Sequence, residues 1–299
     1  MAQTQQEFVQ EILDHVRPSL NDPKNPFYLP KYVTENKLDP YQPPQGSTWE
    51  IDNLNSKNIL SALPGVCADI QMSYVPPASP CKNANDSYNA VPNRGVDITV
   101  SDITVTGASN AYLSTATAIS ADGFTLQFVI EFSTLQNFPA LVTIAGNFEL
   151  TLYCCCGPNL TGCRDEKTKG DPHSGAGNFT ATIKSSTATC TVQITDLQEG
   201  VLNLAVKEIS YQSSTKNGNM TVTPKITSIP GKEGQSYTNL AEEAFNNEST
   251  LQYVLEQINV QLNLPGGLSQ MGSVLQTELD NYLKANHEYP FDKSAATAF

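Results

Sequence analysis

Residues 124 to 132, FTLQFVIEF, set Phe124, Leu126, Phe128, Ile130 and Phe132 at every second position with mostly polar residues between them. A period of two is that of a strand, so these five side chains share one face. The same alternation runs through VDITVSDITVTG as Val96, Ile98 and Val100, then resumes out of phase at Ile103 and Val105, which predicts a bulge near Ser101 and Asp102. Further strands are predicted at 111–120, 141–153, 178–185, 187–196, 202–211 and 220–229, with Asn217-Gly218 as a turn signal. Strands in unbroken succession predict one long, strongly curved antiparallel sheet rather than βαβ units.

Helical spacing frames this meander. TQQEFVQEILDHV places Thr4 and Glu7 at capping-box distance, then Phe8, Val9, Ile12, Leu13 and Val16 on one face, with Pro18 as the expected stop. Beyond the strands, YTNLAEEAF predicts one helix. STLQYVLEQINVQL predicts a second with Leu251, Val254, Leu255, Ile258 and Leu262 in phase, broken at Pro265, Gly266 and Gly267. A further helix is expected to carry Leu268, Met271, Leu275, Leu279, Tyr282 and Leu283. Residues 21–93 are rich in Pro, Asn and Tyr and read as irregular, with a short helix in NLNSKNILSALPG and a strand in VCADIQMSYV. The fold class is therefore α+β. Residues 1–94 form an N-terminal helix and extension packed on a main domain of residues 95–290.

Composition narrows the partners. The 299 residues carry a net charge of -13 and show no basic stripe, which disfavours nucleic acid and anionic membranes and leaves neutral or cationic partners. No apolar run approaches the roughly 18 residues of a membrane span. Five N-x-S/T sequons begin at Asn85, Asn159, Asn178, Asn219 and Asn247, and with seven cysteines they favour a secreted glycoprotein whose signal peptide has been removed, Met1 being an expression start. Cys67, Cys81, Cys154, Cys155, Cys156, Cys163 and Cys190 are odd in number, so at least one stays unpaired or pairs outside the chain. The run LYCCCGPNLTGC lacks the paired knuckle spacing of a zinc site, and disulfides are the expected use. Cys67 with Cys81, and one of Cys154 to Cys156 with Cys190, are the pairings considered.

Catalytic chemistry is not visible. His15, His173 and His287 are the three histidines, and no H-E-x-x-H, G-x-S-x-G, phosphate loop or dinucleotide fingerprint occurs. His173, in GDPHSGAG beside Asp171, reads as part of a solvated turn. No catalytic residue, metal site or cofactor is expected.

The succession from VDITVSDITVTG through FTLQFVIEF to PALVTIAGNFEL, then GAGNFTATIKSSTATCTVQI, then GNMTVTPKITSI followed by LAEEAFNNESTLQYVLEQINVQL, resembles the tubular lipid-binding superfamily. Takeout-like, juvenile-hormone-binding and bactericidal/permeability-increasing proteins and the mite group-seven allergens are its nearest parallels. The resemblance spans about residues 95 to 285; the takeout-like N-terminal cysteine pair has no counterpart before Cys67, and residues 21–93 are unmatched. It implies a curved sheet around a long helix with an apolar tunnel between. The ligand wall would be Phe124, Leu126, Phe128, Ile130, Phe132, Ile144 and Phe148 on the sheet, and Leu251, Val254, Leu255, Ile258 and Leu262 on the helix. The implied function is a secreted, non-enzymatic carrier of a fatty acid, terpenoid, carotenoid or phospholipid. A closed-core extracellular interaction module is the alternative, and a homo-oligomer is an open alternative to the monomer. A lipid-A binder is disfavoured by the acidic charge.

Overall fold

The computed structural model describes residues 5–25, 28–35, 38–44, 46–54, scattered positions from 56 to 66, 96–120, 124–133, 142–154, 171–198, 201–228 and 235–266, with further positions to 277. In chain order these form α1 (Gln5–Asn21), α2 (Leu29–Glu35), β1 (Trp49–Leu54), β2 (Val96–Thr106), a 3-10 turn (Ala108–Asn110), β3 (Tyr112–Ala118), β4 (Thr125–Ser133) and β5 (Val142–Cys154). They continue as β6 (Asp171–Ile183), β7 (Ser185–Gln198), β8 (Val201–Ser213), β9 (Met220–Ser228), α3 (Gln235–Phe245) and α4 (Glu248–Asn263). The α+β class expected from the sequence is the one found. No helix among the described residues is long and apolar enough to cross a membrane.

Where one sheet was expected, the described strands form two, ordered β1-β2-β5-β6-β9 and β3-β4-β7-β8. Their registers show how closely the two are related. Pairing in the five-stranded sheet reaches Thr106↔Thr143, Val142↔Ile183 and Ile183↔Met220. Pairing in the four-stranded sheet begins at Tyr112↔Glu131, Ser133↔Ser185 and Ser186↔Ser213. In each of the pairs β2 and β3, β4 and β5, β6 and β7, and β8 and β9, the two strands therefore lie in different sheets, with their facing ends at a shared level, which we call the seam. The physical cause is local at three of the crossings. Gly107, at φ 98, leads into the 3-10 turn, Lys184 alone separates β6 from β7, and Asn217 and Gly218 take positive φ of 57 and 63 between β8 and β9.

The phase shift in β2 is a bulge: its register with β5 slips between Ser101 and Thr104, and Asp102 adopts φ 51. Two expectations change. Pro18 does not stop α1, which continues to Asn21; it removes one N–H near the end of a helix held by buried Val9, Leu13, Val16 and Leu20. Residues 49–54, inside the stretch read as irregular, form β1, whose Trp49 and Ile51 are buried while Glu50 and Asp52 are exposed.

Edge strands carry unpaired backbone groups, and here side-chain amides of the helices meet them. On the β3 edge, Asn21 Nδ2 donates to the Leu113 carbonyl at 2.8 Å while its Oδ1 accepts from Leu113 N–H at 2.9 Å. Gln10 does the same for the Ala116 carbonyl and the Ala118 N–H. Asn246, just past α3, brackets Val222 of β9 at 2.9 and 2.8 Å. On the β8 edge, Asn259 brackets Tyr211 and Asn263 brackets Ile209.

Candidate functional site

The seam is where the N-terminal extension docks. The Asp39 carboxylate accepts from Gly107 N–H at 3.1 Å, from Ser109 N–H at 2.8 Å and from the Ser109 hydroxyl, so it caps the 3-10 turn. Two residues on, Tyr41 and Val105 exchange backbone hydrogen bonds of 2.8 Å in both directions. The Leu38 N–H donates to the Val33 carbonyl at 3.0 Å, which folds the segment back on α2. These contacts lay Leu29, Val33, Leu38, Tyr41 and Pro43 over the seam, beside Trp49 of β1.

Beneath them lies a cavity of about 180 Å³. Its floor is built from the crossing points themselves: Val105, Ala108 and Ala111 from β2–β3, Ile130, Phe132 and Val142 from β4–β5, and Ala188, Ile209 and Tyr211 from β7 and β8. Helix α4 adds Ile258, Gln261 and Leu262 to its lining. Small Ala108, Ala111 and Ala188 stand in the lining where larger residues would fill the space. The Phe132 and Tyr211 rings lie 6.3 Å apart at 54° on one wall.

No Asp, Glu, Lys, Arg or His lines it among the described residues. Its two phenols are held neutral. Burial pushes Tyr211 up to about 12, partly opposed by the hydrogen bond its hydroxyl donates to Ser186 Oγ at 2.8 Å. Burial also raises Tyr41. Two of the lining residues, Trp49 and Gln261, each hold one buried polar atom, Nε1 and Oε1, without a hydrogen-bond partner.

Of the residues expected to form a ligand wall, Ile130, Phe132, Ile258 and Leu262 line this cavity. Leu126, Phe128, Ile144, Phe148, Leu251 and Val254 are buried in the core, and Phe124 and Leu255 are half-buried against it. Phe148 packs edge-on to Phe245 at 4.8 Å, and Phe179 stacks on Phe245 at 5.5 Å. Sequence reading missed the α2 to Trp49 contribution, whose only signal was Trp49-Glu-Ile51-Asp alternation amid prolines. It also missed the alanines, which carry no signal until the seam is known.

Cys190 is a free thiol, which corrects its expected disulfide with the Cys154 to Cys156 run. It stands on β7 opposite Phe128 in the four-stranded sheet, whereas Cys154 ends β5 in the other sheet, opposite Asp171. Cys67, Cys81, Cys155, Cys156 and Cys163 lie outside the described residues, as do Asn85, Asn159 and His287. His173 is not in a loop but in β6, opposite Leu152, and His15 Nδ1 lies 2.8 Å from the Glu11 carbonyl. Of the sequon asparagines, Asn178 is exposed on β6, and Asn247 is the N-cap of α4, accepting from Ser249 N–H at 3.0 Å. Asn219 Nδ2 donates to the Ser185 carbonyl, Ser213 Oγ and the Ser214 carbonyl at 2.8 to 3.1 Å.

Comparison with known proteins gives no matching family model and no matching curated protein. Among solved structures the chain is similar to Takeout 1 of Epiphyas postvittana, at 12% identity and a TM-score of 0.33, covering 57% of this chain and 74% of that one. It is also similar to a lipopolysaccharide binding protein, at 15% identity and a TM-score of 0.33, covering 81% of this chain. There the match spans 42% of the other chain, less than half its length. At such identity and superposition, what this chain does has to be read from its own cavity.

Proposed function

We propose that this protein is a non-enzymatic carrier of a small hydrophobic molecule, held at the seam between the two sheets and closed over by α2, α4 and the Asp39–Tyr41 clip. The observation that carries this is the cavity itself, about 180 Å³ with an almost wholly apolar, uncharged lining. A well-packed interior leaves few voids larger than a water, and an apolar cavity of about 150 Å³ is enough to take benzene. The volume favours a compact terpenoid or the end of an acyl chain over a whole carotenoid or phospholipid. At about 0.8 kcal/mol per buried methylene, set against an association cost of several kcal/mol, a ligand of about ten carbons is expected to bind in the micromolar to millimolar range rather than at nanomolar. In this reading the carrier is secreted and its strands curve around the ligand.

The test has two parts. Protein purified from its source is extracted with organic solvent and the extract analysed by mass spectrometry. The delipidated protein is then titrated with an apolar fluorophore such as N-phenyl-1-naphthylamine, in parallel with Ala188→Phe, which fills the cavity. Carriage predicts a stoichiometric small apolar molecule in the extract, saturable probe binding, and loss of that binding in Ala188→Phe. A clean extract together with no probe binding sinks the reading.

A further inference from the structure

The parts of the cavity lining are held in place by unequal means. Its strand residues, such as Ile130, Ala188 and Ile209, stand in the ladders of β4, β7 and β8, where displacing one breaks a run of paired backbone groups. Helix α4 is fastened to β8 by the hydrogen bonds of Asn259 and Asn263, at 2.6 to 2.9 Å. A third part, Leu29, Val33, Leu38, Tyr41 and Pro43, belongs to no ladder. Tyr41 meets Val105 in one isolated bridge, and Pro40, Pro43 and Pro44 around it lack the N–H groups that would extend it. The hydrogen bond from Leu38 N–H to the Val33 carbonyl joins this segment to α2, so α2 and residues 38–44 make one strap. Its other fastening is the Asp39 carboxylate, which accepts from the N–H groups of Gly107 and Ser109, the residues on either side of Ala108 in the lining.

We infer that this strap is the gate by which ligand enters and leaves, and that Asp39 is its latch. The inference rests on the carrier reading and adds how its ligand is exchanged. Lifting the strap breaks one bridge and the hydrogen bonds of one carboxylate, whereas parting the sheets or α4 breaks ladders or the paired amides, and the opening of lowest free energy is the one visited most often. Leu29 and Val33 are 4% and 8% exposed, so the strap re-buries apolar surface each time it returns and the closed form dominates. Asp39 is not itself a lining residue, so it is a positioning residue that acts on the hold of the strap and not on the ligand. A gate that closes over the empty and the filled cavity alike slows entry and exit by one factor. Weakening its latch therefore speeds both and leaves the dissociation constant in place. A residue that only shapes a fixed wall changes exit and affinity instead. The strap falls within residues 21–93, the stretch for which the sequence resemblance has no counterpart.

The test mixes delipidated full-length protein with N-phenyl-1-naphthylamine in stopped flow, using wild type, Asp39→Ala and Ser109→Ala, each checked for an intact fold by circular dichroism. Asp39→Ala should raise the association and dissociation rates together by about tenfold while the dissociation constant moves by less than about threefold. Ser109→Ala removes only the hydroxyl donor to Asp39 and should raise both rates by less. Hydrogen exchange reads the same motion with no ligand present. In empty wild type, the Tyr41 and Val105 amides of the bridge should exchange about tenfold or more faster than the Tyr211 amide held by Asn259, and Asp39→Ala should speed the first two and leave the third unchanged. If Asp39→Ala raises dissociation alone, or if the Tyr41 and Tyr211 amides exchange at one rate, the strap is a fixed wall: the gate is overturned and the carrier reading stands. If the probe binds neither wild type nor variants, the carrier reading falls and the gate with it.

Discussion

Asn259 holds Tyr211 by both ends of its peptide: Oδ1 accepts from the Tyr211 N–H at 2.6 Å and Nδ2 donates to the Tyr211 carbonyl at 2.9 Å. One helical turn on, Asn263 repeats this at Ile209, at 2.9 and 2.6 Å. The i,i+4 spacing of a helix thus matches the i,i+2 spacing of outward peptide groups on β8, and α4 is docked as a substitute strand. The same docking sets Ile258, Gln261 and Leu262 against the cavity. Asn259→Ala should leave both Tyr211 groups unpaired and lower stability by about 2 kcal/mol in urea titration. With Asn263→Ala added, the β8 edge opens and light scattering should detect self-association. Unchanged unfolding in the double variant would show that the amides are incidental.

The β6 glycines make room for rings. A Cβ at Gly175 would run into the Tyr237 ring and hydroxyl, which donates to the Leu150 carbonyl at 2.8 Å. A Cβ at Gly177 would meet the Lys225 carbonyl and come within 2.8 Å of the Phe148 ring. Gly175→Ala should therefore cost about 2 to 3 kcal/mol. The neighbour is a side chain, so adding Tyr237→Ala should cost less than the sum of the two single changes. Strict additivity in that double-mutant cycle would contradict the clash. Gly177→Ala, against backbone, has no such rescue.

Alkaline pH should unfold the protein. Burial pushes the Cys190 thiol from its ordinary 9.0 up to about 12 and Tyr211 from 10.0 up to about 12, and it raises Tyr237 as well. In each case the folded chain holds its proton more tightly than the unfolded chain. The stability these groups support is therefore complete below about 9 and is lost as pH rises through about 12. Melting temperatures measured from pH 8 to 12 should fall with a slope that Cys190→Ala reduces at the lower end. The Cys190 thiol should also resist alkylation at pH 8 until denaturant is added.

Sequons differ in what their amide nitrogens already do. Asn219 Nδ2 is engaged with Ser185, Ser213 and Ser214, whereas Asn178 is exposed and Asn247 uses its oxygen as a cap. If the chain passes through a glycosylating secretory pathway, glycopeptide mapping should find sugar at Asn178 or Asn247 and not at Asn219. Occupancy at Asn219 alone would contradict the folded geometry.

Periodicity made the strands of the meander legible because each long strand buries one face, and the bulge at Asp102 was visible as a slipped phase. What periodicity could not report is which strands share a ladder. The seam arises at Gly107, Lys184 and Asn217-Gly218, whose turn chemistry is local while its consequence, a cavity lined by residues from both sheets, is not. β6 was read as starting at Asn178 because Pro172, Gly175 and Gly177 look like loop residues. The reason for the two glycines is Tyr237 and Phe148, distant in sequence. The opening strand shows the same limit: Phe128 and Phe132 are alike in pattern, and only the fold separates them.

That separation gives the sharpest contrast. Phe128 is 3% exposed in the core opposite Cys190, while Phe132, four residues along the same face, lines the cavity beside Tyr211. Phe128→Leu removes ring atoms from close packing and should cost about 1 to 2 kcal/mol, with little effect on an apolar probe. Phe132→Leu enlarges a space that already exists. It should cost less stability and shift the cavity toward bulkier probes, raising affinity for a naphthalene-sized ligand relative to a benzene-sized one. Thermal melts with and without probe separate the two, since a bound ligand raises the melting temperature by mass action. If Phe128→Leu alters probe preference and Phe132→Leu does not, the ligand lies deeper under β4 than the seam cavity, and the wall assigned here is the wrong one.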